Sequence, residues 1–164
     1  MNQRTFNVLF LCTGNSARSI LAEGLLNALG GDQFKAHSAG SHPTGAVNPR
    51  ALTALATLGV PMTGFPSKSW DEFASQDAPV LDFIFTVCDK AAGELCPVWP
   101  GQPITAHWGV PDPAITQGSE QHQQRMFADT AITLKRRIDL LLLLPIVSLD
   151  EMSLRFHLKD IGTR

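Results

Sequence analysis

Apolar residues recur along this chain with two different periods, and the alternation between them sets the architecture. Continuous apolar runs of strand length fall at about 6–11, 34–38, 82–87 and, more weakly, 103–107. Between and after them, apolar positions return every three or four residues, which predicts helices near 18–29, 48–58, 69–75, 89–94, 119–143 and 149–161. In the first of these, Ile20, Leu21, Gly24, Leu25 and Leu29 carry the helical pattern. Asn48-Pro49 reads as a cap followed by proline in the first turn, and Gly59 as that helix's stop. Strands that alternate with helices predict an α/β fold, a single-domain open parallel sheet flanked by helices.

The pattern continues beyond what such a sheet requires. After Pro145, Leu149, Met152, Leu154, Phe156, Leu158 and Ile161 lie on one more helix. Residues 1–144 are therefore read as the domain and 145–164 as a C-terminal helical extension packed on it. Two long irregular stretches stand out, Gly40 to Gly45 and the proline-rich run from Cys96 to Asp112. Long loops in compact domains often carry function.

Composition narrows the class of partner. A chain of 164 residues holds one domain with a sizeable core. A formal charge of −2, without a basic cluster, leaves no footprint for nucleic acid. Leu140 to Leu144 is the most apolar stretch, but Pro145 interrupts it and Asp139 and Asp150 bracket it, well short of a bilayer span. The first strand begins almost at once, with no signal-peptide pattern, so the expected location is cytoplasmic, with no membrane association. Three cysteines in a reducing compartment point to catalysis or redox chemistry rather than structural crosslinks.

The chemistry starts where the first strand ends. Cys12-Thr13-Gly14-Asn15-Ser16-Ala17-Arg18-Ser19 forms the turn from strand to helix. There, backbone N–H groups from Thr13 to Ser19 have no intrahelical acceptor, and the helix adds partial positive charge, so the loop is a cradle for a tetrahedral oxyanion. Gly14 permits a positive φ, and Asn15 tolerates one. Arg18 supplies a planar fork to two anion oxygens. The same field is expected to lower the pKa of Cys12 and make it a nucleophile, with Ser19 or Ser16 donating a hydroxyl hydrogen bond to the thiolate.

With Ser38-Ala39-Gly40, Trp108-Gly109 and Asp112-Pro113-Ala114, this loop resembles the low-molecular-weight protein tyrosine phosphatases and the arsenate reductases that share their fold. The likeness runs to about residue 144. Asp112, held between Pro111 and Pro113, matches the family's general acid, placed to give a proton to a departing oxygen. Its alternative is a turn cap, a common use of Asp-Pro. Ile84-Phe85-Thr86-Val87-Cys88 is a second strand ending in cysteine, and Cys96 follows after Asp89-Lys90-Ala91-Ala92-Gly93-Glu94-Leu95. That spacing is too long for the usual zinc knuckle. Cys88 and Cys96 match in order and setting the two relay cysteines of thioredoxin-coupled arsenate reductases.

The resemblance implies that Cys12 attacks arsenate, Cys88 attacks the sulfur of Cys12 as arsenite leaves, and Cys96 then takes over the disulfide. Reduced thioredoxin, or glutaredoxin with a small thiol, would restore the thiols, with no tightly bound cofactor. The alternative is a phosphatase that hydrolyses phosphate monoesters through a Cys12 phosphocysteine. Several positions depart from the family pattern. Ala17 stands where a second loop cysteine is common, and the Cys88–Cys96 gap is one residue longer. No tyrosine is present, and Ala114 occupies the first aromatic position after Asp-Pro, leaving Trp99 and Trp108 as an aromatic wall. His107 reads as structural. Potassium in such reductases lies near the residues matched by Asn15 and Glu23, but here Ser67-Lys68-Ser69 offers the Lys68 charge instead, so no metal is assigned.

Overall fold

In the computed structural model, which describes residues 4–61, 67–88 and 99–164, the apolar runs form one parallel sheet. Its strands are β1 (Phe6–Cys12), β2 (Phe34–Gly40), β3 (Phe83–Thr86) and β4 (Ile104–His107), in the spatial order β2-β1-β3-β4. The helices are α1 (Arg18–Leu29), α2 (Pro49–Thr57), α3 (Glu120–Leu142) and α4 (Glu151–Ile161). After β2 the chain returns to the opposite side of β1. The carboxyl ends of β1 and β3 therefore flank the switch in strand order, where open sheets of this kind bind ligands. Cys12 and Cys88 lie at those two ends.

Strand parity divides the core. Phe6, Val8 and Phe10 of β1 join Phe83 and Phe85 of β3 on the face covered by α1 and α3, while Leu9, Leu11 and Ile84 face Trp70, Phe73, Leu81 and Trp99 on the other. The β3–β4 pairing outlasts the strands themselves, because Trp108 N donates to Thr86 O (2.7 Å) and Val110 N to Val87 O (3.1 Å). Trp108 therefore keeps the inward parity of Ala106, stacks on Phe85 at 3.9 Å between centroids, and is fully buried.

Local signals act as expected at the helix ends. Asn48 caps α2 by accepting from Arg50 N, and Gly59 takes φ +81° after it. The helix expected at 69–75 is instead a single 3-10 turn, Trp70–Phe73, capped by Ser69. Only Trp70 and Phe73 bury there, and Pro79 follows, so no longer apolar face exists to sustain an α-helix. The expected helix at 89–94 lies outside the described residues. On α4, Leu154, Leu158 and Ile161 are buried, whereas Met152 and Phe156 face solvent. Among the described residues, no helix is long and apolar enough to cross a membrane.

Candidate active site

The strand-to-helix loop is held open from outside. His42 N donates to Thr13 O (2.9 Å), Thr44 N to Gly14 O (3.0 Å) and Asn48 N to Ser16 O (2.8 Å). Because C=O and N–H point opposite ways across a trans peptide, outward carbonyls at 13, 14 and 16 turn the N–H groups of Gly14, Asn15 and Ala17 inward. Ala17, the residue before α1, caps the helix with no side-chain hydrogen bond. Inward donors beside a helix end without a side-chain cap are the arrangement in which the motif predicts anion binding. The segment 42–48 that shapes it includes part of the irregular stretch from Gly40 to Gly45, and these three contacts to the loop are made by its backbone.

Asn15 fixes the loop from within. It is fully buried at φ +46°, and its Nδ2 donates to Ser19 Oγ and Ser38 Oγ, both at 2.9 Å, while its Oδ1 accepts from Lys68 N at 2.8 Å. Ser38 Oγ in turn donates to Glu23 Oε1 at 2.6 Å. Burial pushes the Glu23 carboxyl above its usual range, opposed by the Ser38 hydrogen bond and the Lys68 charge. Gly40 closes the β2 side, because a Cβ there would lie 2.4 Å from Thr13 O and 2.9 Å from Cys12 O.

Cys12 and Cys88 meet at the centre. Both are buried and free of disulfide, 5% and 1% exposed, and their thiols share a hydrogen bond. Thr13 Oγ1 lies 3.7 Å from Cys88 Sγ. This contact reverses the expected low pKa of Cys12. The Cys88 hydrogen bond and burial raise the thiol well above its ordinary range, and the Arg18 charge with the Thr13 backbone N–H only partly offsets them. The groups acting on the resting thiol are thus Cys88, Arg18 and Thr13. The Ser19 hydroxyl accepts from Asn15 Nδ2, which leaves its own proton to donate.

Arg18 reaches across to the loop of Asp112. Its Nη1 donates to Val110 O at 3.0 Å, and its Nη2 lies 3.7 Å from Asp112 Oδ2. Asp112 also accepts from Ala114 N at 2.9 Å, capping the 3-10 turn Pro113–Ile115. The two readings of this aspartate are therefore compatible: one carboxylate oxygen caps the turn and the other faces Arg18.

Other expected positions move. Trp99 and Trp108 form no wall over the anion site. Trp99 packs edge-on against Trp70 in the second core, and Trp108 Nε1 donates to Leu158 O of α4 at 2.9 Å. His107 Nδ1 pairs with Thr86 Oγ1 at 2.7 Å, on the opposite sheet face from Trp108. Cys96 lies outside the described residues.

The family model for low molecular weight phosphotyrosine protein phosphatase matches residues 7–152. An arsenate reductase from Halalkalibacterium halodurans is 35% identical over 138 residues, 84% of this chain and 94% of that protein. One from Bacillus subtilis is 38% identical over 120 residues, 73% of this chain and 83% of its own length. A solved arsenate reductase in the phosphate binding state superposes with a TM-score of 0.68 at 26% identity, covering 84% of this chain and 96% of that one. The switch-point loop, the paired strand-end cysteines and these matches lead to one conclusion: the chain belongs to the low molecular weight phosphotyrosine protein phosphatase family.

Proposed function

We propose that this protein reduces arsenate to arsenite, with Cys12 as nucleophile and Cys88 as the group that resolves its adduct. The observation that carries the reading is the hydrogen bond between the two buried thiols. A phosphatase needs water beside the adduct; here a second sulfur touches the nucleophile. The two relatives above, both arsenate reductases by name, are consistent with it.

The inward N–H groups of the loop and the Arg18 fork bind hydrogen arsenate, whose oxygens accept the proton that Cys12 otherwise retains. A Cys12–arsenic bond forms as one arsenic–oxygen bond breaks; the Cys12 proton and the anion's own proton leave with that oxygen as water, relayed by Asp112. Cys88 then attacks the Cys12 sulfur. The sulfur–arsenic electron pair departs with arsenic, which becomes arsenite carrying the Cys88 proton, and the two sulfurs are oxidised to a disulfide. In the next exchange Cys96 attacks Cys88, Cys12 recovers its proton, and a Cys88–Cys96 disulfide remains. An external dithiol of the thioredoxin class, or glutaredoxin with a small thiol, returns two electrons. The phosphatase chemistry would share only the first attack and the proton transfer.

The test is Cys88→Ser. Multiple-turnover arsenate reduction, followed with thioredoxin and its reductase, should be abolished while hydrolysis of an aryl phosphate persists. Arsenate turnover that survives Cys88→Ser refutes the relay.

A further inference from the structure

Arg137 of α3 is a buried cation. It is 7% exposed, its Nη1 donates to Trp108 O at 2.6 Å and to Gly109 O at 3.2 Å, and its Nε is buried without a hydrogen-bond partner. Among the described residues no carboxylate pairs with it. Burial, with the Arg136 charge beside it, lowers its pKa. A buried charge compensated only by carbonyl dipoles is costly, and an orphan N–H adds to the cost. A feature that costs stability calls for a positional reason.

The carbonyls it holds begin the stretch 108–112. The next carbonyl along, that of Val110, receives Arg18 Nη1, and Asp112 Oδ2 follows at 3.7 Å from Arg18 Nη2. The same stretch is braced from its other side by α4. Trp108 Nε1 donates to Leu158 O, and Gly162 approaches so closely that a Cβ would lie 2.3 Å from His107 O. Without Arg137, the buried Trp108 carbonyl and the part-buried Gly109 carbonyl lose this donor where the backbone leads toward Asp112.

We propose that Arg137 is a positioning residue of the oxyanion site: by binding the Trp108 and Gly109 carbonyls it sets the Val110 carbonyl on Arg18, and so places Asp112 against the Arg18 fork. This deepens the assignment of Cys12, Arg18 and Asp112 as the reacting groups, and it rests on that assignment. It gives α3 a role in the chemistry through a residue that touches no reacting atom.

A double-mutant cycle tests it. Arg137→Met and Arg137→Lys are made in the wild-type and Asp112→Asn backgrounds, and kcat is measured for arsenate reduction and for aryl phosphate hydrolysis, well below the melting temperature of every variant. Arg137→Met should lower kcat about 10- to 100-fold in the wild-type background, the scale of a misplacement near 1 Å. In the Asp112→Asn background it should cost less than about twofold, because the two residues act on one step. Arg137→Lys, with donors for both carbonyls, should recover most of the rate. The pH limb of kcat that Asp112→Asn removes should also be missing in Arg137→Met. Equal fold-losses in both backgrounds would reveal a merely structural arginine and overturn the proposal, as would an unchanged kcat. A wild-type protein that hydrolyses aryl phosphate but leaves arsenate intact would end the reductase assignment, while the cycle on aryl phosphate would still decide Arg137. Wild-type inactivity toward both substrates would overturn the two together.

Discussion

Gly40→Ala places one methyl group where the loop around Cys12 has no room for it. The added Cβ would lie 2.4 Å from Thr13 O, 2.9 Å from Cys12 O and 3.0 Å from Asn15 N. Ordinary carbon–oxygen contact needs about 3.3 Å, so the Thr13 carbonyl must shift by roughly 1 Å relative to β2. It cannot shift alone, since His42 N holds that oxygen at 2.9 Å and β1 pairs Cys12 with Gly40. The strain should cost about 1–3 kcal/mol, the usual range for overpacking. For a chain of this length each kcal/mol lowers the melting temperature by about 2–4 °C. The catalytic loss should be larger than the stability loss suggests: a displacement of this size in groups that orient an anion costs about 100-fold in kcat/KM. Gly59→Ala is the control. Its φ of +81° makes alanine strained, but nothing lies within 4 Å of the added Cβ. It should lower the melting temperature by a comparable amount and leave kcat/KM unchanged. The assay is kcat/KM for aryl phosphate hydrolysis and arsenate reduction, beside thermal unfolding by circular dichroism. If Gly40→Ala keeps kcat/KM within about threefold of wild type, the loop is not held by close contact with β2 and the reasoning fails.

Three further outcomes follow from the same contacts. Asn15→Ala removes two buried hydrogen bonds and a part-buried one and leaves a non-glycine residue at φ +46°, which should cost about 3–5 kcal/mol in chemical denaturation; Asn15→Gly should recover about 1 kcal/mol of that, and equal stabilities would show that the backbone is relaxed there. Cys88→Ala deletes the largest influence raising the Cys12 thiol, so Cys12 alkylation by iodoacetamide at neutral pH, resolved by mass spectrometry, should speed up by about tenfold or more; an unchanged rate contradicts the paired thiols. His37, pushed down to about 4 by burial and then by Lys35 and Lys68, stays neutral in the native state while the unfolded chain binds a proton below about 6.5. Stability supplied by this group is therefore present above pH 6.5 and lost as pH falls toward 4; because the ring is only partly buried, the loss is about 1–2 kcal/mol, and urea midpoints should show a shallower acid slope in His37→Gln.

What could be read from the sequence is what depends on neighbours along the chain. The run from Val8 to Leu25 determines a strand, a turn and a helix by local pattern, and a cysteine placed between them falls at the strand end whatever the rest of the fold does. The cap at Asn48 and the positive φ at Gly59 are local in the same sense. Trp108 was misread because its surroundings, Gly109, Pro111 and Pro113, look like an exposed loop. The continued β3–β4 hydrogen bonding at Trp108 and Val110 gives it strand parity, and that pairing joins segments far apart in sequence. The Asn15 contact to Ser19 is local, four residues along the chain, whereas its contact to Ser38 comes from β2 alongside. Arg137 carried no signal at all, standing in a helix beside Arg136 and differing from it only in which way the helix turns it.

The pKa of Cys12 is where local and long-range effects compete, and the outcome bears on the chemistry. Judged by its loop alone, Cys12 should be a ready thiolate; Cys88, approaching from β3, makes it a poorer resting nucleophile. For hydrolysis of a phosphate ester that contact is a pure cost, since water needs neither the second thiol nor its hydrogen bond. In the proposed reduction the same contact is useful, because the sulfur proposed to attack Cys12 already lies beside it. A bound oxyanion supplies the acceptor for that proton. In the proposed reaction, ionisation of Cys12 accompanies occupancy of the loop, because the bound anion takes the proton.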